Sequence, residues 1–347
     1  MSKSIDEIAA AIGVSVTTVK LVIGGKAKKY RISQKTQNSI EEYIREHGYR
    51  INQAARSLKL KKSETLGLVI PNLTNSYFAQ LAEGLGQLAQ QHGYQLITVS
   101  SQDDADLEKR QTDILLGRSV DGLFVASSSS ARQKNLPLEA KSTPIVFIDR
   151  DFGVNELPVV ISDNYKGSYE MTLKMLDMTS SEVFYIYGDA SLPTIQNRLR
   201  GFLDAHQSIE RDLHPNWSVS TPHNTDIDGY QAMESLYNQL KRIPEALVFS
   251  SLPILEGALH FIRQRYGSIP NQMLIATYDD HNMLEFLPNT VIAVNQNISE
   301  VAKCSSQLME QLLSNHSVND FNRCKIVEPS LIVRDRSWQR DFEQQNK

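Results

Sequence analysis

The chain has 347 residues, 41% of them hydrophobic, and a formal net charge of −4. That length supports roughly two or three domains with sizeable cores. No apolar run reaches the ~18 residues of a membrane span, and the N-terminus carries no apolar signal segment, so a soluble, cytoplasmic protein is expected.

The charge is unevenly placed. Residues 1–62 hold thirteen Lys and Arg against five acids, a surplus of eight positive charges, and the remainder carries −12. A basic head on an acidic body suits binding of a phosphate backbone by one end of the chain.

The chain opens on Ser4–Gly25, SIDEIAAAIGVSVTTVKLVIGG. Ile5, Ile8, Ala9 and Ile12 recur at helical spacing, and Ser4 with Glu7 makes a capping box. Gly13-Val14-Ser15 breaks the helix, and Ser15 caps a second one. At about 100° per residue, Thr18, Val19, Val22 and Ile23 share one arc, expected to face inward. Val16, Thr17, Lys20 and Leu21 share the other. That outward face suits a helix laid in the DNA major groove. A basic loop follows, Lys26-Ala27-Lys28-Lys29-Tyr30-Arg31. Ser33 then caps a third helix with Thr36, Ile40, Tyr43, Ile44 and His47 inside and Gly48 as its stop.

Asn52 to Leu58, with Ala55 between, predicts a helix of about two turns, too short to be stable alone. Leu58, flanked by Arg56, Lys59, Lys61 and Lys62, fits a wedge pushed into the minor groove. A linker whose leucine packs on the next domain is the other reading.

From Thr65 short aliphatic strands alternate with amphipathic helices. Strands are expected at 66–70, 96–100, 123–126, 145–148, 159–162, 183–187, 247–250, 274–278 and 291–295. This α/β alternation implies parallel sheets covered on both faces, divided between two lobes. Ligands of such sheets bind at the carboxyl ends of the strands. There stand Asn72, Asn75 and Tyr77, Ser127–Ser130, Asp149-Arg150, Asp189, Ser250-Ser251, Asp279-Asp280-His281 and Asn295-Gln296. Arg198 opens the sequence RLRGF on a helix that can reach the same cleft. Carboxylates accept from vicinal hydroxyls, arginine donates in a fixed fork, and rings stack on C–H faces, so the set suits a polyol. Asp149 and Asp279 could instead cap turns, and Arg198 could form a surface ion pair.

No catalytic constellation emerges. Gly84-Leu85-Gly86 lies inside a helix, and Ser127–Ser130 is read as a polar loop without a nucleophile elbow. Cys304 and Cys324 have no histidine at metal-ligand spacing, and Asp279-Asp280-His281 lacks a fourth ligand nearby. Neither a metal, a cofactor nor an enzymatic activity is expected.

These segments together resemble the LacI/GalR family of repressors. The resemblance rests on DEIAAAIGVSVTTVKLVIGG, the hinge-like NQAARSLK, the opening GLVIPNLTNSYFA, Arg198 to Phe202, Tyr278-Asp279-Asp280 and the closing LIVRDRS. It implies a helix-turn-helix head (1–50), a hinge helix and linker (51–62) and a periplasmic-binding-protein-like core (63–340). Lobe 1 would take about 63–161 with 296–326, and lobe 2 about 163–292 with 327–340. It implies base reading by Val16, Thr17 and Leu21 with Lys20 beside them, and Leu58 as the wedge. Effector contacts would fall on Asp149, Arg198 and Asp279, with Tyr77 and Phe78 from the first loop.

The sequence departs from the family where Ser251-Leu252 replaces the usual Asn-Asp and Lys20-Leu21 the usual Ser-Arg. GGKAKKYRIS, VFIDR with its extra Arg150, SSLPILEGAL and ATYDDHNMLEFL are similar to the family's fructose- and sucrose-responsive branches. The resemblance therefore implies a homodimeric repressor of a sugar operon, sucrose above all. It would bind operator DNA under control of fructose or a fructose phosphate, whose phosphate Arg150 and Arg198 would suit. A fructose-responsive global regulator is the alternative. A sugar-binding transport protein shares the core but has no use for a basic head.

Overall fold

The computed structural model describes residues 3–49, 62–154, 156–314 and 323–335. The chain divides into two compact units, Met1–Glu64 and Thr65–Lys347. The expected hinge helix, with Asn52, Ala55 and Leu58, lies outside the described residues.

The first unit holds three helices: α1 (Ile5–Ile12), α2 (Val16–Ile23) and α3 (Gln34–His47). Local chemistry sets every end. Ser4 Oγ accepts from the Glu7 amide at 3.3 Å while the Glu7 carboxylate accepts from the Ser4 amide at 2.8 Å. Gly13 closes α1 in the left-handed region (φ 75°), which costs glycine nothing. Ser15 and Ser33 cap α2 and α3. Ile8, Ala9, Val19, Val22, Ala27 and Ile40 form the small core. Two inward assignments do not hold. Ile23 is exposed, because its place at the last turn of α2 leaves it beyond the three-helix contact. His47 lies on the surface, stacked on Tyr43 with ring centroids 4.2 Å apart.

The second unit contains two six-stranded sheets. Lobe 1 contains β1 (Thr65–Ile70), β2 (Gln95–Ser100), β3 (Gly122–Val125), β4 (Ile145–Ile148), β5 (Val159–Ser162) and β11 (Cys324–Val327). Their spatial order is β11-β5-β4-β3-β1-β2, all parallel. Helices α4 (Ser76–Gln91), α5 (Ala105–Gly117), α6 (Ser130–Ala140) and α11 (Ile298–Leu313) belong with it.

Lobe 2 contains β6 (Val183–Tyr187), β7 (Ser218–Ser220), β8 (Ala246–Phe249), β9 (Leu274–Tyr278), β10 (Val291–Asn295) and β12 (Ser330–Arg334), ordered β12-β10-β9-β8-β6-β7. Only β12 runs antiparallel to its neighbour. Helices α7 (Asn164–Met178), α8 (Pro193–Ser208), α9 (Asp226–Leu240) and α10 (Leu252–Tyr266) complete the lobe. Each sheet carries one apolar cluster per face, as doubly covered parallel sheets require.

The chain crosses between lobes after β5, after β10 and after β11. The crossings touch: the Asp163 amide donates to the Val327 carbonyl at 3.0 Å, and Ser162 Oγ to the Gln296 carbonyl at 3.4 Å. The serine run stays a polar loop over 127–129, and only Ser130 belongs to α6. Ser129 accepts from the Arg132 amide as its cap, and Ser127 and Ser128 both donate to buried Glu108.

Candidate functional site

The carboxyl ends of both sheets face one cavity of about 350 Å³, within the size range of small-molecule sites. Of the residues expected at the ligand cleft, Asn75, Tyr77, Phe78, Asp149, Arg150, Arg198, Ser251 and Asp279 line it. Local backbone aims them. Asn75 caps α4 by accepting from the Tyr77 amide at 3.0 Å, which sets Tyr77 and Phe78 on the first turn. The two rings meet edge to face, 5.1 Å apart. Asp149 follows β4 and Asp279 follows β9, both buried and both at positive φ.

The acids are held by polar neighbours. Gln296 Nε2 donates to Asp279, and Arg150 Nε lies 3.5 Å from the Asp149 carboxylate. Burial pushes both carboxyls above their ordinary range; Arg150 and Arg198 oppose this at Asp149, and Arg198 opposes it at Asp279. Arg198 gives Nε to Asn164 Oδ1 at 2.7 Å and Nη1 to the Ser250 carbonyl at 2.6 Å. Its guanidinium lies 3.7 Å from the Tyr278 ring centroid, a cation–π contact. Burial also raises the Tyr77 hydroxyl well above its usual range, beside Asp149 but without a hydrogen bond of normal geometry.

The cavity concentrates unsatisfied polar atoms. Tyr77 Oη, Arg150 Nε, Asn224 Oδ1, Ser251 Oγ and Gln296 Oε1 are buried without a hydrogen-bond partner, and all five residues line it. Orphans of this kind cost about 1–3 kcal/mol each unless something binds them.

The strand-end rule named more residues than the cavity uses. Asp189 accepts from Ser191 in a tight turn outside it. Asp280 pairs with Arg334 at 2.7 Å, and His281 Nδ1 accepts from the Met283 amide; neither lines the cavity. Several polar contributors were missed, Asn224, His223 and Asp103 among them. Asn224 and His223 follow β7, a strand of three residues that periodicity could not show. Asp103 follows β2, whose end was available to the same rule.

On the first unit, Thr17, Lys20, Lys26, Lys28, Lys29, Tyr30 and Arg31 are exposed. Val16 and Leu21 are half-buried, Val16 against the head core, so α2 offers less of Val16 than an outward face implies. Ala27 anchors the basic loop in that core. No cluster of three or more metal-ligating side chains occurs among the described residues, and no helix there is long and apolar enough to cross a membrane.

A three-helix basic unit followed in the chain by a two-lobed core with a polar cleft defines a DNA-binding regulator with a small-molecule sensor. Comparison with known proteins makes this specific. Residues 63–319 match the family described as periplasmic binding proteins and sugar binding domain of LacI family, and residues 4–52 match the bacterial regulatory proteins of the lacI family. The chain is 32% identical to the fructose operon regulatory protein of Vibrio cholerae, over 86% of this chain and 90% of that one. It is 29% identical to the sucrose operon repressor of Klebsiella pneumoniae, over 92% and 95% respectively. Its fold is similar to a crystal structure of the Cra transcriptional dual regulator of Pseudomonas putida in complex with fructose 1-phosphate. The TM-score is 0.69 at 25% identity, covering 78% of this chain and 99% of that one. The chain belongs to the LacI family and is a sugar-responsive transcriptional regulator, not an enzyme.

Proposed function

We propose that this protein represses a sugar-utilisation operon, sucrose or fructose in kind, and that fructose or a fructose phosphate in the core cavity controls its grip on the operator. The observation that carries the reading is the set of five buried polar atoms without hydrogen bonds around a cavity walled by carboxylates and guanidiniums. A polyhydroxylated ligand supplies donors and acceptors to such a wall, while an apolar ligand would leave it unpaired.

The repressor works as a homodimer, with two heads reading the half-sites of a pseudo-palindrome. Thr17, Lys20, Leu21 and the accessible part of Val16 face the bases, with Lys26, Lys28, Lys29, Tyr30 and Arg31 on the backbone. Asn52, Ala55 and Leu58 belong to the expected minor-groove element. In the core, Asp149 and Asp279 accept from sugar hydroxyls and Arg198 donates. The ligand bridges residues of both lobes and favours their closure. Sugar and operator then oppose one another through a reciprocal coupling free energy. Labelled operator DNA titrated with and without fructose, fructose 1-phosphate and sucrose tests this. An operator affinity indifferent to all three overturns the sensing role.

A further inference from the structure

Arg150 is buried at the wall of the cavity, yet its charge is already answered. Nη1 donates to the Asp103 carboxylate and to the Ser127 carbonyl, and Nε lies 3.5 Å from Asp149. Asp103 stands at the rim of the same cavity, its side chain about one-third exposed. It is held there by two successive left-handed residues, Gln102 (φ 53°) and Asp103 (φ 55°). We propose that Asp103 is a specificity-determining residue that occupies the guanidinium of Arg150, so that the cavity takes an uncharged sugar and rejects its phosphate ester.

Three observations support the assignment. Three carboxylates, Asp103, Asp149 and Asp279, share the lining with two guanidiniums. Arg198 has committed Nε and one Nη1 proton to protein acceptors, which takes the Nε side of its fork away from a phosphate. Gln296 keeps Oε1 unpartnered, and its Nε2, donating to Asp279, fixes which end is the acceptor. A phosphate dianion accepts only, whereas a sugar hydroxyl also donates and meets these acceptors. A phosphate must displace Asp103 from Arg150 and then sit beside the freed carboxylate.

The proposal rests on the sugar-sensor reading above and deepens it. Calorimetry on the full-length protein compares fructose, fructose 1-phosphate and inorganic phosphate, with the unaltered chain and with Asp103→Asn. Asparagine tolerates positive φ and keeps the shape of the side chain. The unaltered protein is expected to bind fructose at least about tenfold more tightly than its phosphate ester. Asp103→Asn should shift that ratio toward the ester by about tenfold or more, with operator binding retained as the check on folding. Preference of the unaltered protein for the ester, a measurement that needs no variant, overturns the proposal. So does an unchanged ratio in the folded variant. Sugars that bind without this discrimination sink this assignment alone; a protein that binds none of them sinks the sugar-sensor reading with it.

Discussion

Asp149 and Asp279 occupy equivalent places in the two lobes. Each follows the third strand of its sheet, counted from β11 or β12, and each adopts a left-handed backbone, φ 65° and 69°. Each is 6% exposed and lines the same cavity. The left-handed turn sharply redirects the chain at the strand end, which brings two carboxylates from separate sheets into one site. Such strain in a residue other than glycine recurs at functional sites.

Replacing either acid by asparagine should therefore uncouple stability from sensing. Asparagine fits the backbone but loses the charged acceptor. A hydrogen bond to a charged group is worth about 1.5–3 kcal/mol, so sugar affinity should fall by about tenfold to a hundredfold. Operator affinity without sugar should be unchanged. Because burial disfavours both charges, the thermal midpoint should hold or rise. Calorimetry and a melting curve on Asp149→Asn and Asp279→Asn check both halves.

The same burial sets a pH dependence. Both carboxyls are raised above 3.8 in the folded chain, so the folded state binds protons more readily than the unfolded one. Their penalty on stability is present above the raised pKa and fades as pH falls through it toward 3.8. Sugar binding runs the other way, because protonation removes the acceptors. Sugar affinity should weaken on acidification at a pH above that of ordinary carboxylates. The urea midpoint of the unaltered protein minus that of Asp279→Asn should rise over the same interval. A difference flat with pH contradicts the assignment.

Much of this arrangement was legible from residue order. Long aliphatic strands such as Val183–Tyr187 and Leu274–Tyr278 appear at their full length, because burial on both faces leaves an uninterrupted apolar run. The failures have local causes. β7 has only three residues, all at least partly exposed, and β11 carries exposed Lys325 and Ile326 at a sheet edge. Pro137 interrupts the helical pattern of α6, where it lies inside the helix and supplies no amide to the turn before it. Missing β7 hid Asn224. Asp103 lay within reach of the strand-end rule after β2, but its pairing with Arg150, 47 positions along the chain, is one that no local pattern contains.

Arg198 joins structure to site. Its hydrogen bonds to Asn164 and Ser250 and its stack on Tyr278 hold the crossing after β5 to the ends of β8 and β9. Arg198→Ala leaves buried acceptors unpaired and should cost about 2–4 kcal/mol of core stability. Sugar response should disappear while operator binding at low temperature remains. Arg198→Lys keeps the charge without the fork and should recover only part of the response. Release of operator by sugar in Arg198→Ala would remove Arg198 from the site.

Gly188 marks where backbone and ligand loop meet. A Cβ there would lie 1.7 Å from Asn224 Oδ1, closer than any real contact. Gly188→Ala must turn the Asn224 amide out of its place, since every atom in the way belongs to that side chain. Sugar affinity should drop with it. Gly117→Ala is the control, since nothing lies within 4 Å of its Cβ. That variant should leave both stability and sugar binding near their starting values. An unaltered sugar affinity in Gly188→Ala would take the Asn224 side chain out of the recognition surface.

The three-helix unit allows its folding and its DNA contacts to be separated. Ile8, Val19 and Ile40 are fully buried, and they dominate a core of six buried residues. Ile8→Ala removes about 2–5 kcal/mol from a unit with little to spare. It should abolish operator binding while the core's sugar affinity stays unchanged. Thr17 and Lys28 are exposed and outside that core, so Thr17→Ala and Lys28→Ala should leave the melting of the unit unaltered. Their losses differ in kind. A base-facing Thr17 costs affinity mainly for the cognate sequence, about 1–3 kcal/mol, whereas a phosphate-facing Lys28 weakens all sequences and lowers the salt slope by about 1. Operator and scrambled duplexes titrated across a range of salt distinguish the two. A Lys28→Ala protein with an unchanged salt slope would place the Lys26–Arg31 loop off the DNA.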